Sequence, residues 1–412
     1  MAQLKELCEL IVDCEHKTAP TQNSGYPSIR TPNIGRGRLL LDGVNRVSEE
    51  TYQAWTQREV PQPGDLILAR EAPIGNVAIV PPGLKVCLGQ RTVLIRADRS
   101  AVNPQYLTYL LLGDEIQGKI LSMSNGATVR HLNMKDIREL EMPQIPDPRI
   151  QGRIADTLSA YDDLIENNTR RIKILEDMAQ MLYREWLVNF RFPGHENVKL
   201  VESELGPIPQ GWSAKCATEA VLVNPTTKVS KDGVKPFLPM GSLSDNSMLV
   251  TDIEEREGNS GAKFKNGDTL FARITPCLEN GKTGFVQFLP SDDAVAFGST
   301  EFIVLRSKTV CPEYVYLMAR SSEFRDNAIK SMSGATGRQR VQEACFGRFF
   351  VAQPDKITLE QFRAIASPMF RLVHSLSLKN NNLHTTRDFL LPKLISGEIP
   401  VEAAAELVGQ TA

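Results

Sequence analysis

The chain has 412 residues, 42% hydrophobic and 23% charged, an ordinary globular composition but too long for one typical domain. With 47 Lys+Arg against 49 Asp+Glu the formal net charge is −2, so bulk charge argues for neither nucleic acid, membrane nor an anionic substrate. Seven cysteines without a C-x-x-C disfavour a disulfide framework or zinc ribbon and suit a reducing compartment, and no stretch approaches a membrane span, so a soluble cytoplasmic protein is expected.

In chain order, the N-terminal segment MAQLKELCELIVDCEHK carries Lys5, Glu6 and Glu9 among its apolar residues and does not read as a signal peptide. A basic loop follows, SIRTPNIGRGR, with Arg30, Arg36 and Arg38. Short β-like runs bounded by Gly and Pro come next, at Leu66–Ala69, Val77–Val80 and Thr92–Arg96, and then a helix at Pro104–Leu112 with proline in its first turn. The same order returns later. PGDLILAR at 63–70 recurs as NGDTLFAR at 266–273, SMSNGAT at 122–128 as SMSGAT at 331–336, Pro104-Gln105-Tyr106 as Pro312-Glu313-Tyr314, and Pro146-Asp147 as Pro354-Asp355. Four matches in one order define a duplicated unit of roughly 200 residues. The second copy is predicted to hold strands at Thr269–Phe271, Gly284–Phe288 and Glu301–Arg306 and a helix at Pro312–Arg320.

Each copy ends in a long periodic helix. Ile154, Leu158, Tyr161, Ile165, Asn168, Ile172, Leu175, Ala179, Leu182 and Trp186 alternate spacings of four and three. Phe362, Ile365, Met369, Leu372, Leu376, Lys379, Leu383, Thr386 and Leu390 do the same, which puts polar Asn168 and Lys379 at matching levels. Such seams predict two helices packed on each other, with a polar residue fixing register. Between the copies, residues 190–212 are polar and rich in Pro and Gly and read as a linker.

Catalytic motifs fail on inspection. Gly281-Lys282-Thr283 resembles the end of a phosphate-binding loop, but Pro276 stands where its first glycine belongs, so a turn is the better reading. There is no G-x-S-x-G and no H-E-x-x-H, and His16, His131, His195, His374 and His384 show no ligand pairing. Pro81-Pro82 lies in VPPG and not in the Asn/Asp-Pro-Pro-aromatic run of an adenine methyltransferase. Pro146-Asp147 and Pro354-Asp355 lack a following acidic-x-Lys and are read as closing a domain before its helix. Asp65 and Asp268 follow glycine in a turn, where a carboxylate caps backbone N–H groups. Recognition chemistry is better represented: Ser124, Thr128, Arg130, His131 and Lys135 in copy one, and Ser333, Thr336, Arg338, Gln339 and Arg340 in copy two, cluster around the repeated glycine loops. Hydroxyls suit phosphate oxygens, and Arg and Gln suit base edges. The equivalent of the first basic loop in copy two, FLPMGSLSDN, lacks arginine, so the copies are expected to read different sequences.

Three stretches carry a family resemblance: LLPKLISGEIPV at 390–401, SELGPIPQGW at 203–212 and YDDLIENNTRRIKILEDMAQMLYREWLVNF at 161–190. With these the chain, over essentially its whole length, resembles the specificity subunit of type I restriction–modification enzymes. It departs in opening with LKELCELIVDCEHK, without a Gly-Trp. The resemblance implies an α/β (α+β) fold of two target recognition domains, 1–148 and 213–356. Two helices, 149–190 and 357–397, would form an antiparallel coiled coil, with a linker at 191–212 and a tail at 398–412. It implies a non-catalytic chain that reads the halves of a bipartite double-stranded DNA target, two methylation subunits and a restriction subunit as partners, and no cofactor on this chain. S-adenosylmethionine, Mg and ATP would sit on the partners. Met178, Met181, Tyr183, Trp186, Leu391, Leu394 and Ile395 concentrate apolar area toward the helix ends and are the expected docking residues. Two other readings stay open from the residues alone. One is a stand-alone DNA-binding regulator dimerising through the coiled coil. The other is an enzyme whose site escapes motifs, using a cysteine or the Asp65/Asp268 pair.

Overall fold

The computed structural model describes residues 2–124, 130–335 and 337–401. The chain divides into two compact units, Met1–Ile165 with Asn382–Ala412, and Glu166–Asn381.

The first unit is built on the hydrophobic run Leu66–Ala69, all four of whose residues are buried. A strand apolar on both faces needs cover on both sides. It pairs antiparallel with Thr92–Ala97 and Val77–Ile79, and Cys8–Asp13 and Gly37–Arg38 complete a five-stranded sheet. On one face Leu66, Leu68, Val93 and Ile95 meet Tyr106 and Leu110 of the helix Pro104–Leu112. That helix starts because the Asn103 side chain accepts the Tyr106 N–H and Pro104 presets the first turn. On the other face Ile67, Ala69 and Leu94 pack with Ile29 and Val80.

The second unit repeats this plan. Thr269–Ala272, again fully buried, pairs antiparallel with Phe302–Ser307 and Thr283–Phe285, with Val221–Val223 at the edge. Helix Pro312–Arg320 covers it through Tyr314 and Val315. The strand runs read from sequence fall on these elements, and both short helices agree to the residue. A second sheet, of Val234–Leu238, Glu254–Glu257, Ala262–Lys265 and Val295–Gly298, had no clear periodicity to announce it. The segment read as a linker is ordered. Leu200–Val201 pairs with Ile208–Pro209, and Trp212 stacks on Phe192 at 5.1 Å between centroids. Ser213–Cys216 then pairs with Phe350–Gln353, and Trp212 Nε1 donates to Asp355 at 3.1 Å. In copy one Leu4 N–H bonds the Leu140 carbonyl and Met142 N–H the Ala2 carbonyl, both at 2.9 Å, so the same place is filled without a Gly-Trp pair.

Helices Pro148–Tyr183 and Lys356–Ile395 each contribute a segment to both units. In the first unit Ile154, Leu158 and Tyr161 share a core with Leu383, Leu390 and Leu394. Asp162 accepts from Arg387 at 2.6 Å and from the Tyr109 hydroxyl at 2.6 Å. In the second unit Asn168 accepts nothing from Lys379; its Nδ2 donates to Asn380 Oδ1 at 2.9 Å. Further along, Trp186 lies 6.4 Å from Phe362 between ring centroids. Within this unit, as the first helix advances from Asn168 to Trp186 its partners retreat from Asn380 to Phe362, which is antiparallel packing. The seam of the first helix is as the spacing predicts. That of the second is displaced: Ile365 and Leu372 are 40% and 38% exposed and Lys379 is exposed, while Ala366, Phe370, Val373 and Asn380 are buried. This helix carries apolar residues on two faces, and the aromatic cluster of Phe285, Tyr316 and Phe370 decides which one turns inward. The aspartates of the two Pro-Asp pairs bond the helix starts: Asp355 accepts the Thr358 N–H at 3.0 Å and Asp147 the Arg149 N–H at 2.8 Å.

The Asp162–Arg387 pair is 5% and 11% exposed. Removing one partner leaves a buried charge, a loss of about 3 kcal/mol or more, whereas an exposed i,i+4 pair such as Lys173–Asp177 is worth about 0.5 kcal/mol or less. Urea unfolding is expected to show Arg387→Ala strongly destabilised and Lys173→Ala nearly unchanged.

Candidate nucleic-acid interface

The loops singled out in the sequence hang from a scaffold repeated bond for bond. After Gly64 and Gly267, whose φ values of 92° and 85° suit glycine, Asp65 and Asp268 turn back to accept the backbone N–H of Gln62 (2.7 Å) and Lys265 (2.9 Å). Each carboxylate also receives a two-pronged guanidinium: Arg96 on Asp65 at 2.9 and 2.8 Å, Arg306 on Asp268 at 2.7 and 2.6 Å. These hydrogen bonds raise both arginines further above their ordinary value. The two aspartates are therefore structural, as their position in a turn suggested, and not a catalytic pair. The residue ending each motif holds the far side of the recognition loop: Leu132 N–H bonds the Arg70 carbonyl at 3.1 Å and Val341 N–H the Arg273 carbonyl at 2.9 Å.

Thr128 and Thr336 lie outside the described residues. In copy one, Arg130 and Lys135 are exposed, His131 is half-buried, and Ser124 turns its hydroxyl onto the Leu121 carbonyl at 2.6 Å. Of the separate basic loop, Arg30 and Arg36 are exposed, with Arg36 donating to the Leu112 carbonyl at 3.1 Å, and Arg38 is paired with Asp163 on the first long helix. In copy two the loop is a small hairpin. Ser333 and Arg340 exchange backbone bonds at 3.0 and 2.9 Å, and Gln339 and Thr275 are bonded through the Gln339 carbonyl at 3.1 Å. Arg338 is exposed at the tip. Arg340 is committed to Glu301, which it grips at 2.6 and 2.9 Å. That hydrogen-bonded guanidinium holds the Glu301 carboxyl below its ordinary value. The geometry thus brings together Ser333, Arg338, Gln339 and Arg340 on one hairpin. It separates residues free to meet a ligand from those already used inside the chain.

The expected docking residues divide in the same way. Tyr183 and Trp186, 5% and 8% exposed, are spent on the core of the second unit, and Leu391 and Leu394, 6% and 2% exposed, on that of the first, against which Ile395 packs. Met178 and Met181, 43% and 62% exposed, form a surface stripe with Ile174 at 50%. Asp13, Cys14 and His16 stand close enough for a metal, a grouping the spacing of the histidines did not suggest. Both Asp13 oxygens are held by Arg70 at 2.9 Å, however, and burial raises the Cys14 thiol above its ordinary value, so the set is a poor fit to a cation.

The model of the type I restriction modification DNA specificity domain matches residues 1–177. The chain is 25% identical to the type I restriction enzyme MjaIX specificity subunit of Methanocaldococcus jannaschii, over 87% of this chain and 83% of that one. It is 22% identical to the HindI specificity subunit of Haemophilus influenzae, over 91% and 95%. Over nearly its whole length the chain is similar to the specificity subunits of type I restriction–modification enzymes. Its fold is also that of the S subunit from M. genitalium, at a TM-score of 0.56 and 14% identity over 95% of each chain. A specificity subunit is the non-catalytic component that recognises the DNA target, within a type I complex that binds DNA. The regulator and hidden-enzyme readings therefore fall, and the helix seam that a regulator would need for dimerising is used within each unit. No helix among the described residues is long and apolar enough to cross a membrane.

The Glu301–Arg340 pair makes a pH-dependent prediction. A carboxyl held below its unfolded value stabilises the fold above that value and loses the contribution as pH falls through the folded one. Arg340→Gln should raise the Glu301 titration toward the ordinary 4.5. Its stability deficit relative to wild type should be present at neutral pH and shrink in acid, as read by NMR titration and denaturant unfolding.

Proposed function

We propose that each copy reads one half of a bipartite, asymmetric DNA target and that the two long helices set the spacing between the halves. The observation that carries this is one scaffold holding two unlike loops. The Asp65–Arg96 and Asp268–Arg306 clamps and the Arg70 and Arg273 anchors are shared. Arg130 has its counterpart in Arg338, but Arg30, Arg36 and Lys135 in copy one have none in the chemistry of the Ser333–Arg340 hairpin. Exposed Arg30, Arg130, Lys135 and Arg338 meet the duplex, while Arg38 and Arg340, tied to Asp163 and Glu301, position their loops.

The complex contains two methylation subunits, with a restriction subunit added for cleavage, and the methylation subunits dock on the helices where Ile174, Met178 and Met181 are exposed. S-adenosylmethionine, Mg and ATP are used by those partners, and the target adenine is methylated there after leaving the stack. Exchanging residues 1–148 for the matching domain of a relative, in cells that supply the methylation subunit, is expected to change one half-site and keep the other when methylated sites are mapped. Loss of both half-sites in an assembled chimera would contradict independent reading.

A further inference from the structure

The two copies differ at one charged position in a way that opens a site. Arg70 and Arg273 end equivalent strands and anchor equivalent loops. In copy one Arg70 is held tightly: Nη1 donates to both Asp13 oxygens at 2.9 Å and Nε to the Leu132 carbonyl at 2.8 Å, and its side chain is 14% exposed. Sheet register shows what replaces Asp13 in copy two. Asp13 stands opposite Val93, which faces Leu68; the repeat equates Leu68 with Phe271, which faces Ile303. Along the edge strand Val223 stands opposite Leu305 and Asn224 N–H bonds Val304. The next residue, at the place of Asp13, is Pro225.

The carboxylate is therefore missing where the arginine remains. Among the described residues Arg273 donates Nη2 to the Val341 carbonyl at 3.5 Å and makes one ion pair, with Glu343 at 3.4 Å, a carboxylate that already accepts from Asn224 at 2.9 Å. Arg273 Nε is buried without an acceptor, and the side chain is 26% exposed. Arg273 and Pro225 line a pocket of about 480 Å³, together with Lys263 and the hydroxyls of Thr226 and Thr300. Among the described residues these last three side chains make no hydrogen bond or ion pair within the chain. The unsatisfied Nε of Arg273, an unpaired ammonium and two unpaired hydroxyls suit an oxyanion with several acceptor oxygens.

We propose that this pocket takes one backbone phosphate of the target duplex through Arg273 and Lys263, a contact that copy one lacks because Asp13 fills its place. The proposal rests on DNA recognition by the second copy. It adds affinity and register without reading a base, at a place where the first half-site has no equivalent contact.

The test uses the full chain assembled with its methylation subunits, a duplex carrying the target mapped from methylation, and an unrelated duplex of equal length. Pro225→Asp restores the internal carboxylate, and Lys263→Ala removes a cation from an otherwise intact strand. In a salt series each variant should flatten the log–log slope of binding by about 0.9, the value for one phosphate. Both duplexes should weaken by the same factor, and the methylated sequence should stay the same. Unchanged slopes in both variants would overturn the proposal. So would a changed methylated sequence, which would make the pocket a base reader. Unchanged slopes with inorganic phosphate stabilising only the wild type to heat would assign it to a free anion and likewise overturn it. A wild-type complex that binds neither duplex would instead refute DNA recognition itself.

Discussion

Asn168 and Asn380 hydrogen-bond to each other inside a seam otherwise lined by apolar side chains. A one-residue slip of either helix would strand two buried amides, each costing about 1–3 kcal/mol, and turn the apolar stripe away from its partner. The pair therefore fixes which residues meet along the helices. In the first unit the Asp162–Arg387 ion pair, held from the side by Tyr109, does the same. In the second, Glu176 on the first long helix accepts from Ser247 and from Met248 N–H at 2.7 and 2.6 Å, despite a burial that raises its carboxyl. Each sheet domain is thereby held to its own segment of helix.

On this frame, duplication separates what must stay from what can change. The aspartate–arginine clamps beneath the two loops are buried and geometrically demanding, and both copies keep them. The side chains beyond the clamps face solvent and cost the fold little when they vary. Arg70 and Arg273 sit on the border: the same guanidinium is gripped by both oxygens of Asp13 in one copy and reaches only Glu343, at 3.4 Å and with its Nε unsatisfied, beside Pro225 in the other.

The sequence made visible whatever is periodic or repeated. Leu66–Ala69, Thr269–Ala272 and the helices opened by Pro104 and Pro312 were legible because buried strands are continuous apolar runs and proline marks first turns. The second seam was misphased because Ile365, Leu372 and Leu378 place apolar residues on a face that packing leaves outside. Periodicity cannot choose between two apolar stripes when tertiary contacts with Phe285 and Tyr316 do the choosing. Of the candidate loop residues, composition picked out the arginines but could not distinguish Arg338, which is exposed, from Arg340, whose partner Glu301 is far away in sequence. The Arg273 pocket was hidden for the same reason, since the absence of Asp13 from copy two becomes visible only once strands are in register.

The most direct test of the helices as the element that spaces the two half-sites is a paired insertion. One heptad is added after Arg171 and one after Leu376, the matching level on the partner helix, so that every contact on either side keeps its mate. Each heptad adds about 10 Å along the helices, close to three base pairs. Mapping of methylated sites should return unchanged half-sites separated by a spacer about three base pairs longer. Full methylation at the original spacer would contradict the account.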